Sequence, residues 1–151
     1  MFEINCAILS VLFYKNMMYK KELKIAKQAA QEAGLEIKKE FLNWRRGQAK
    51  FKEPKQIVTW VDKKSEKKLF SHLKKNFPDY GMISEESKAL NKNSDYSWII
   101  DPLDGTTNFT THHPFFAVSI ALSYKKEIVL AVTYDIILNE MYWAVQGQGA
   151  Y

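Results

Sequence analysis

Three groups of acidic residues stand where this sequence could do chemistry. Asp62 follows the apolar run 57–61, the pair Glu85–Glu86 follows 81–84, and two more carboxylates sit in the string Asp101-Pro-Leu-Asp104-Gly-Thr-Thr-Asn-Phe109. The last group is the most informative. An apolar strand over 98–100 runs straight into Asp101, and Pro102 fixes φ and ends the hydrogen-bonding ladder there. Asp104 arrives on the same turn, which Gly105 permits to be tight. Asp104 or Thr106 then caps a short helix whose first N–H groups point outward. Two carboxylates on one turn repel each other unless a positive charge lies between them. A hard divalent cation with oxygen ligands meets that need, and Mg²⁺ is the commonest in the cytoplasm. Alone, a D-x-x-D is a solvated turn and Glu85–Glu86 a surface pair; the continuous string with carboxylates upstream is what points to a metal.

These groups need elements to hold them. Leu23, Ala26, Ala30, Ala33, Ile37, Phe41 and Trp44 recur at three- or four-residue spacing, one stripe of a long amphipathic helix. Gly34 lies inside it at a cost of about 1 kcal/mol relative to Ala, which predicts a close helix–helix contact. Gly47 and the Lys-rich stretch to Pro54 are expected to end the helix and form a mobile connection. An extended piece over 56–60 leads to Asp62 and a second helix. Its Leu69, Leu73 and Phe77 face inward and its Lys63, Lys64, Lys67, Lys68, Lys74 and Lys75 mostly outward, until Pro78 closes it. The period then switches to two. Phe116, Val118, Ile120 and Leu122 alternate with Ala117, Ser119, Ala121 and Ser123, and 128–134 and 140–145 continue an antiparallel meander. The expected fold class is α+β, two N-terminal helices packed on a mainly antiparallel sheet. Residues 1–16 fit the pattern poorly, so 17–151 reads as the metal-binding portion, with Met17 or Met18 as its expected start.

Composition narrows the classes further. The 151 residues are 46% hydrophobic and 26% charged, which excludes collagen-like, low-complexity and disordered chains. One cysteine, Cys6, excludes an internal disulfide framework and a Cys-based zinc site. The apolar run 4–14 is too short to span a bilayer and lacks the basic flank of a secretory signal. A cytoplasmic protein with no membrane partner is therefore expected. Residues 1–80 carry 18 Lys and Arg against 9 Asp and Glu, and 81–151 carry 4 against 8. A basic half invites a nucleic-acid reading. However, only Arg45 and Arg46 are arginine, the residue that bidentate phosphate and base recognition favours. Lysines covering solvated helix faces are the plainer account.

The string Trp98-Ile-Ile-Asp-Pro-Leu-Asp-Gly-Thr-Thr-Asn-Phe109 resembles the signature of the inositol monophosphatase family, especially its bacterial SuhB-like members. So do Ile57-Val-Thr-Trp-Val-Asp62, Ile83-Ser-Glu-Glu-Ser87, Phe116-Ala-Val-Ser-Ile120 and Gln146-Gly-Gln-Gly-Ala150, in the same order. The resemblance implies the first half of the family's layered sugar-phosphatase fold and Mg²⁺-dependent, lithium-sensitive hydrolysis of inositol monophosphate or a related sugar or polyol phosphate. Carried over by residue, it implies that Glu85 binds a first metal and, with Thr106, orients the attacking water. Asp101 bridges two metals, the Leu103 carbonyl joins the first, and Asp104 joins the second. Asp62 and Glu86 take positions associated with a third, weaker ion or its water shell. The backbone of Gly105, Thr106 and Thr107 holds the phosphate. The physics is consistent: a phosphate dianion repels hydroxide, and paired cations neutralise it while acidifying a water.

Ser84 and Gln56 depart from the family pattern without touching this set. Thr111, His112 and His113 fill a variable stretch read as an exposed loop at the mouth of the site, and His72 is expected to be solvated. The chain reaches Tyr151 roughly where the family's first half gives way to its second. This predicts a weakly held second metal, and an apolar face on the strands from Phe116 to Val145 left uncovered and open to pairing. Dimerisation is common in the family, although no residue here fixes a number. Two alternatives stay open: an inactive portion retaining partial metal and phosphate binding, and a basic RNA-contacting module. Within the enzyme class, bisphosphate nucleotidase and fructose-bisphosphatase relatives share the metal string.

Overall fold

A computed structural model describes residues 18–45, 50–53, 56–87, 89–91 and 93–151. The expectations for 1–16, and for Gly47 in the connection, lie outside these residues. The first helix, α1 (Lys20–Asn43), buries the middle of the predicted stripe, with Ala26, Ala30, Ala33 and Ile37 at most 1% exposed, and adds Ala29 to it. It ends where Trp44 turns extended and buries its indole, whose N–H donates to the Thr110 carbonyl at 3.3 Å. Part of the Lys-rich connection is ordered. β1 (Lys50–Glu53) pairs antiparallel with β2 (Gln56–Val58), which corrects the expectation of a wholly mobile link.

The second helix, α2 (Trp60–Asn76), starts two residues earlier than the sequence suggested, so Asp62 is inside it rather than at a strand end. Thr59 is the reason. Its hydroxyl accepts from the N–H groups of Val61 and Asp62, and Asp62 reaches back to the Thr59 N–H, closing a capping box. The lysines face outward as expected, and two of them tie the helices together: Lys64 lies 2.8 Å from Glu36 and Lys68 3.3 Å from it. His72, expected to be solvated, is instead half-buried against Glu32 at 3.2 Å.

Both helices pack on one face of a six-stranded sheet in the order β3 (Gly81–Ser84), β4 (Tyr96–Asp104), β5 (Ala117–Tyr124), β6 (Glu127–Asp135), β7 (Glu140–Val145), β8 (Gly149–Ala150). Only β3 and β4 run parallel; every other neighbouring pair is antiparallel, as the meander predicted. The register sorts the period-2 sequence into rows. Met82, Trp98, Leu122, Leu130 and Val145 stand side by side under the helices and are at most 5% exposed. Gly34 does not serve a helix–helix contact. A Cβ there would lie 2.5 Å from the Tyr134 ring and 3.1 Å from Ile136, so glycine lets α1 approach the sheet at β6. Among the described residues no helix is long and apolar enough to cross a membrane.

Candidate active site

The strand carrying the signature does not stop at Pro102. β4 runs on to Asp104, and its pairing with β5 shifts between Asp101, opposite Ser119, and Asp104, opposite Ala117. One extra residue in β4 makes a bulge, which re-aims groups at a strand end without ending the ladder. Pro102 has no N–H to lose, and its carbonyl, freed from the ladder, accepts from Ser65 Oγ of α2 at 2.8 Å. Leu103 is buried, with its N–H donated to Asp101 Oδ1 at 3.2 Å.

Gly105 follows at φ 91° and is itself the N-cap of a third helix, α3 (Thr106–Thr110). A Cβ at Gly105 would also meet the Phe115 carbonyl at 2.8 Å. No side chain caps this helix, so neither Asp104 nor Thr106 plays the capping role expected of it. The Thr106 hydroxyl turns the other way. It lies 2.9 Å from Asp62 Oδ1 and 3.0 Å from the Leu103 carbonyl, two acceptors for its single proton. The other oxygen of Asp62 accepts from the Thr59 N–H at 2.8 Å and the Thr59 hydroxyl at 2.5 Å. Asp62 is thus 2% exposed with both oxygens engaged.

Asp101 has a different environment. Burial first, then the charges of Asp104 and Glu85 and the weaker influence of Asp62, push its carboxyl up to about 6, against the lowering effect of the Leu103 N–H. Asp104, Glu85 and Thr107 are exposed, and Glu86 is half-buried with its N–H on Ser84 Oγ at 3.4 Å. The fold therefore brings Asp62, Glu85, Asp101 and Asp104 within electrostatic reach of one another, and places Thr106 and the Leu103 carbonyl among them. The donors are all oxygen and the local charge is strongly negative, so the set fits a hard divalent cation in kind. Among the described residues, however, no three acidic, imidazole or thiol side chains already stand in a ligand arrangement. The fit is one of charge and donor type.

An aromatic foundation holds the turn. Phe109 of α3 is fully buried between Phe41 of α1 (ring centroids 5.6 Å apart), Trp44 at the end of α1 (5.0 Å) and Phe116 just before β5 (5.4 Å), which together fix the helix that carries Thr106. The loop after it is exposed, as expected. His112 rests on the Trp44 carbonyl at 3.0 Å, His113 on Thr111 at 2.9 Å, and Asn108 holds the Phe115 carbonyl at 2.7 Å. Sequence reasoning missed Thr59 and Ser65. Thr59-Trp-Val-Asp62 reads as a capping box, and that signal was available. Ser65 carries none, because its partner is a backbone carbonyl freed by a bulge in another element.

The sequence profile of the inositol monophosphatase family matches residues 18–151. A protein of Pasteurella multocida named Nus factor SuhB is 45% identical over 85% of this chain and 48% of its own length. A fructose-1,6-bisphosphatase/inositol-1-monophosphatase of Aquifex aeolicus is 38% identical over 87% of this chain and 50% of its own. The crystal structure of the SuhB protein of Bartonella henselae superposes with a TM-score of 0.84 at 38% identity, covering 87% of this chain and 52% of that one. The chain thus spans about half the length of the curated relatives it matches. With a profile match over residues 18–151, the chain belongs to the inositol monophosphatase family.

Proposed function

We propose that this chain carries the metal- and phosphate-binding groups of a Mg²⁺-dependent, lithium-sensitive phosphomonoesterase acting in the cytoplasm on inositol monophosphate or a related polyol phosphate. The observation that carries the reading is the crowding of Glu85 and Asp104 around the half-buried Asp101, whose carboxyl is pushed up to about 6. Such a cluster is costly as it stands and is relieved by a cation. Asp101, Glu85, Asp104 and the Leu103 carbonyl would hold Mg²⁺. When bound, the ion neutralises phosphate charge and acidifies a water.

The protein's own groups do the rest. Asp62 accepts the Thr106 hydrogen bond, because a carboxylate is the stronger of that hydroxyl's two acceptors. Thr106 Oγ then presents a lone pair and orients a water by accepting a hydrogen bond from it, with Glu85 as that water's second acceptor. Engaged on both oxygens, Asp62 acts by holding Thr106, not as a ligand of a third ion; Glu86 stays beside Glu85 in that outer position. The backbone N–H groups of Gly105, Thr106 and Thr107, left without a side-chain cap, receive the phosphate oxygens.

Phosphate release from inositol 1-phosphate, fructose 1,6-bisphosphate and a 3′,5′-bisphosphate nucleotide tests the reading. Release that needs Mg²⁺, falls with lithium and disappears in Asp101→Asn is expected; metal-independent release, or release unchanged in that variant, would overturn it. The names of the SuhB relatives favour a second reading, that this chain also serves as a Nus factor. Asp101→Asn should leave that role intact while removing hydrolysis.

A further inference from the structure

Pro102 and Leu103 are both buried, although neighbours on a regular strand face opposite ways. The bulge between Asp101 and Asp104 allows this and leaves the two residues without partners in the register with β5. The peptide joining them is instead held at both ends by side chains. Its carbonyl, that of Pro102, accepts from Ser65 Oγ at 2.8 Å, and its N–H, that of Leu103, donates to Asp101 Oδ1 at 3.2 Å. A peptide is a rigid plane, so the contact at one end sets the direction of the bond at the other. Ser65 thus reaches the Asp101 carboxylate through a single plane, and it fixes the backbone from which the Leu103 carbonyl projects. Ser65 is 2% exposed and Pro102 is buried, so bulk water does not compete for this contact. Asp62, three residues earlier on the same face of α2, makes a different kind of contact. It engages the Thr106 hydroxyl at 2.9 Å and leaves the Leu103 carbonyl, 3.0 Å from that oxygen, with lone pairs for a cation.

Given the Mg²⁺ site proposed above, on which this step rests, we infer that Ser65 is a positioning residue that raises the site's affinity for Mg²⁺ relative to Ca²⁺. Mg²⁺ demands near-octahedral oxygens at about 2.1 Å, whereas Ca²⁺ accepts looser and more variable shells at about 2.4 Å. A carboxylate and a carbonyl tied to one anchored plane favour the more demanding ion. Released from that plane, they gain a freedom that costs Mg²⁺ more than Ca²⁺. Ser65 touches neither the ion nor the substrate and acts only through Pro102.

Calorimetric titrations of Mg²⁺ and of Ca²⁺ into the parent chain, Ser65→Ala and Leu73→Val test this. Alanine keeps α2 intact because it is the better helix former. Leu73→Val loosens the core beneath the same helix, where Leu73 is fully buried, without reaching the bulge. Ser65→Ala should weaken Mg²⁺ binding about tenfold and Ca²⁺ binding no more than about twofold, narrowing their ratio about fivefold. Leu73→Val should leave the ratio unchanged. In the metal-free chain, amide exchange followed by NMR should quicken about tenfold at Leu103 in Ser65→Ala, measured against Ile100 in the regular ladder opposite Ile120. A ratio unchanged in Ser65→Ala, an equal shift in Leu73→Val, or a Leu103 amide no faster in Ser65→Ala would overturn the role of Ser65 while leaving the Mg²⁺ site standing. A parent chain that binds no Mg²⁺ would overturn both.

Discussion

Asp62 and Asp101 carry the same group on either side of Thr106, yet the fold treats them oppositely. Asp62 is 2% exposed, and three donors from Thr59 and Thr106 engage both oxygens of its carboxylate. Asp101 has the single N–H of Leu103 against the charges of three neighbouring carboxylates, which with burial raise it to about 6. The contrast separates architecture from function. A carboxylate satisfied by its own chain is a fixture that orients what it touches, whereas one left crowded and underbonded depends on something from outside.

Three substitutions sharpen or break that contrast. Asp101→Asn should have the largest effect, lowering Mg²⁺-dependent phosphate release about 10³-fold or more, since a cation at the reacting phosphate supplies several kcal/mol. Steady-state assays over a Mg²⁺ series check this, and no excess Mg²⁺ should restore the rate. Thr106→Ala should cost about 10²-fold in kcat with little change in apparent metal affinity, and Thr106→Ser should recover most of it. Asp62→Asn should lower kcat similarly and also destabilise the fold by about 1–2 kcal/mol, because it breaks a capping box as well as the bond to Thr106. Thermal melts without metal read the second effect directly. Were Asp62→Asn as stable as the parent, the description of Asp62 as a structural fixture would fail.

The smallest effect has the opposite sign. The folded-state pKa of Asp101 is raised above the ordinary value of 3.8 to about 6, so the folded chain holds this proton more tightly than the unfolded one. Stability from this group is therefore present at low pH and lost as pH rises from about 4 through about 6. In metal-free protein at pH 7.5, Asp101→Asn should melt a few degrees higher than the parent, about 1 kcal/mol after allowance for solvent screening. The gap should close at pH 4, and saturating Mg²⁺ should reverse its sign. Melting curves at both pH values, with and without metal, give the comparison.

The stripe of α1, the alternation of β5 and the signature string were legible because each is a local pattern with its own period or spacing. What was misread depends on partners distant in sequence. Gly34 suggested a tight helix pair, but only the register of β6 brings Tyr134 beneath it. Pro102 suggested the end of a strand, but Ser65 of α2 accommodates its carbonyl and lets the ladder resume at Asp104. Asp62 was recognised as a candidate yet assigned to a strand end, because the Thr59 cap was overlooked. The four carboxylates picked out from spacing lie within electrostatic reach of one another, while the difference between Asp62 and Asp101 arises from burial and hydrogen bonding that spacing does not encode.

Calorimetric titration of Mg²⁺, with Mn²⁺ as a paramagnetic check, into the parent chain, Asp101→Asn and Asp62→Asn tests the central claim most directly. Saturable binding by the parent is expected, with loss of that binding in Asp101→Asn and an affinity within about threefold of the parent in Asp62→Asn, whose carboxylate already has its partners. Binding undiminished in Asp101→Asn, or absent from the parent, would contradict the assignment of this acidic corner as a cation site.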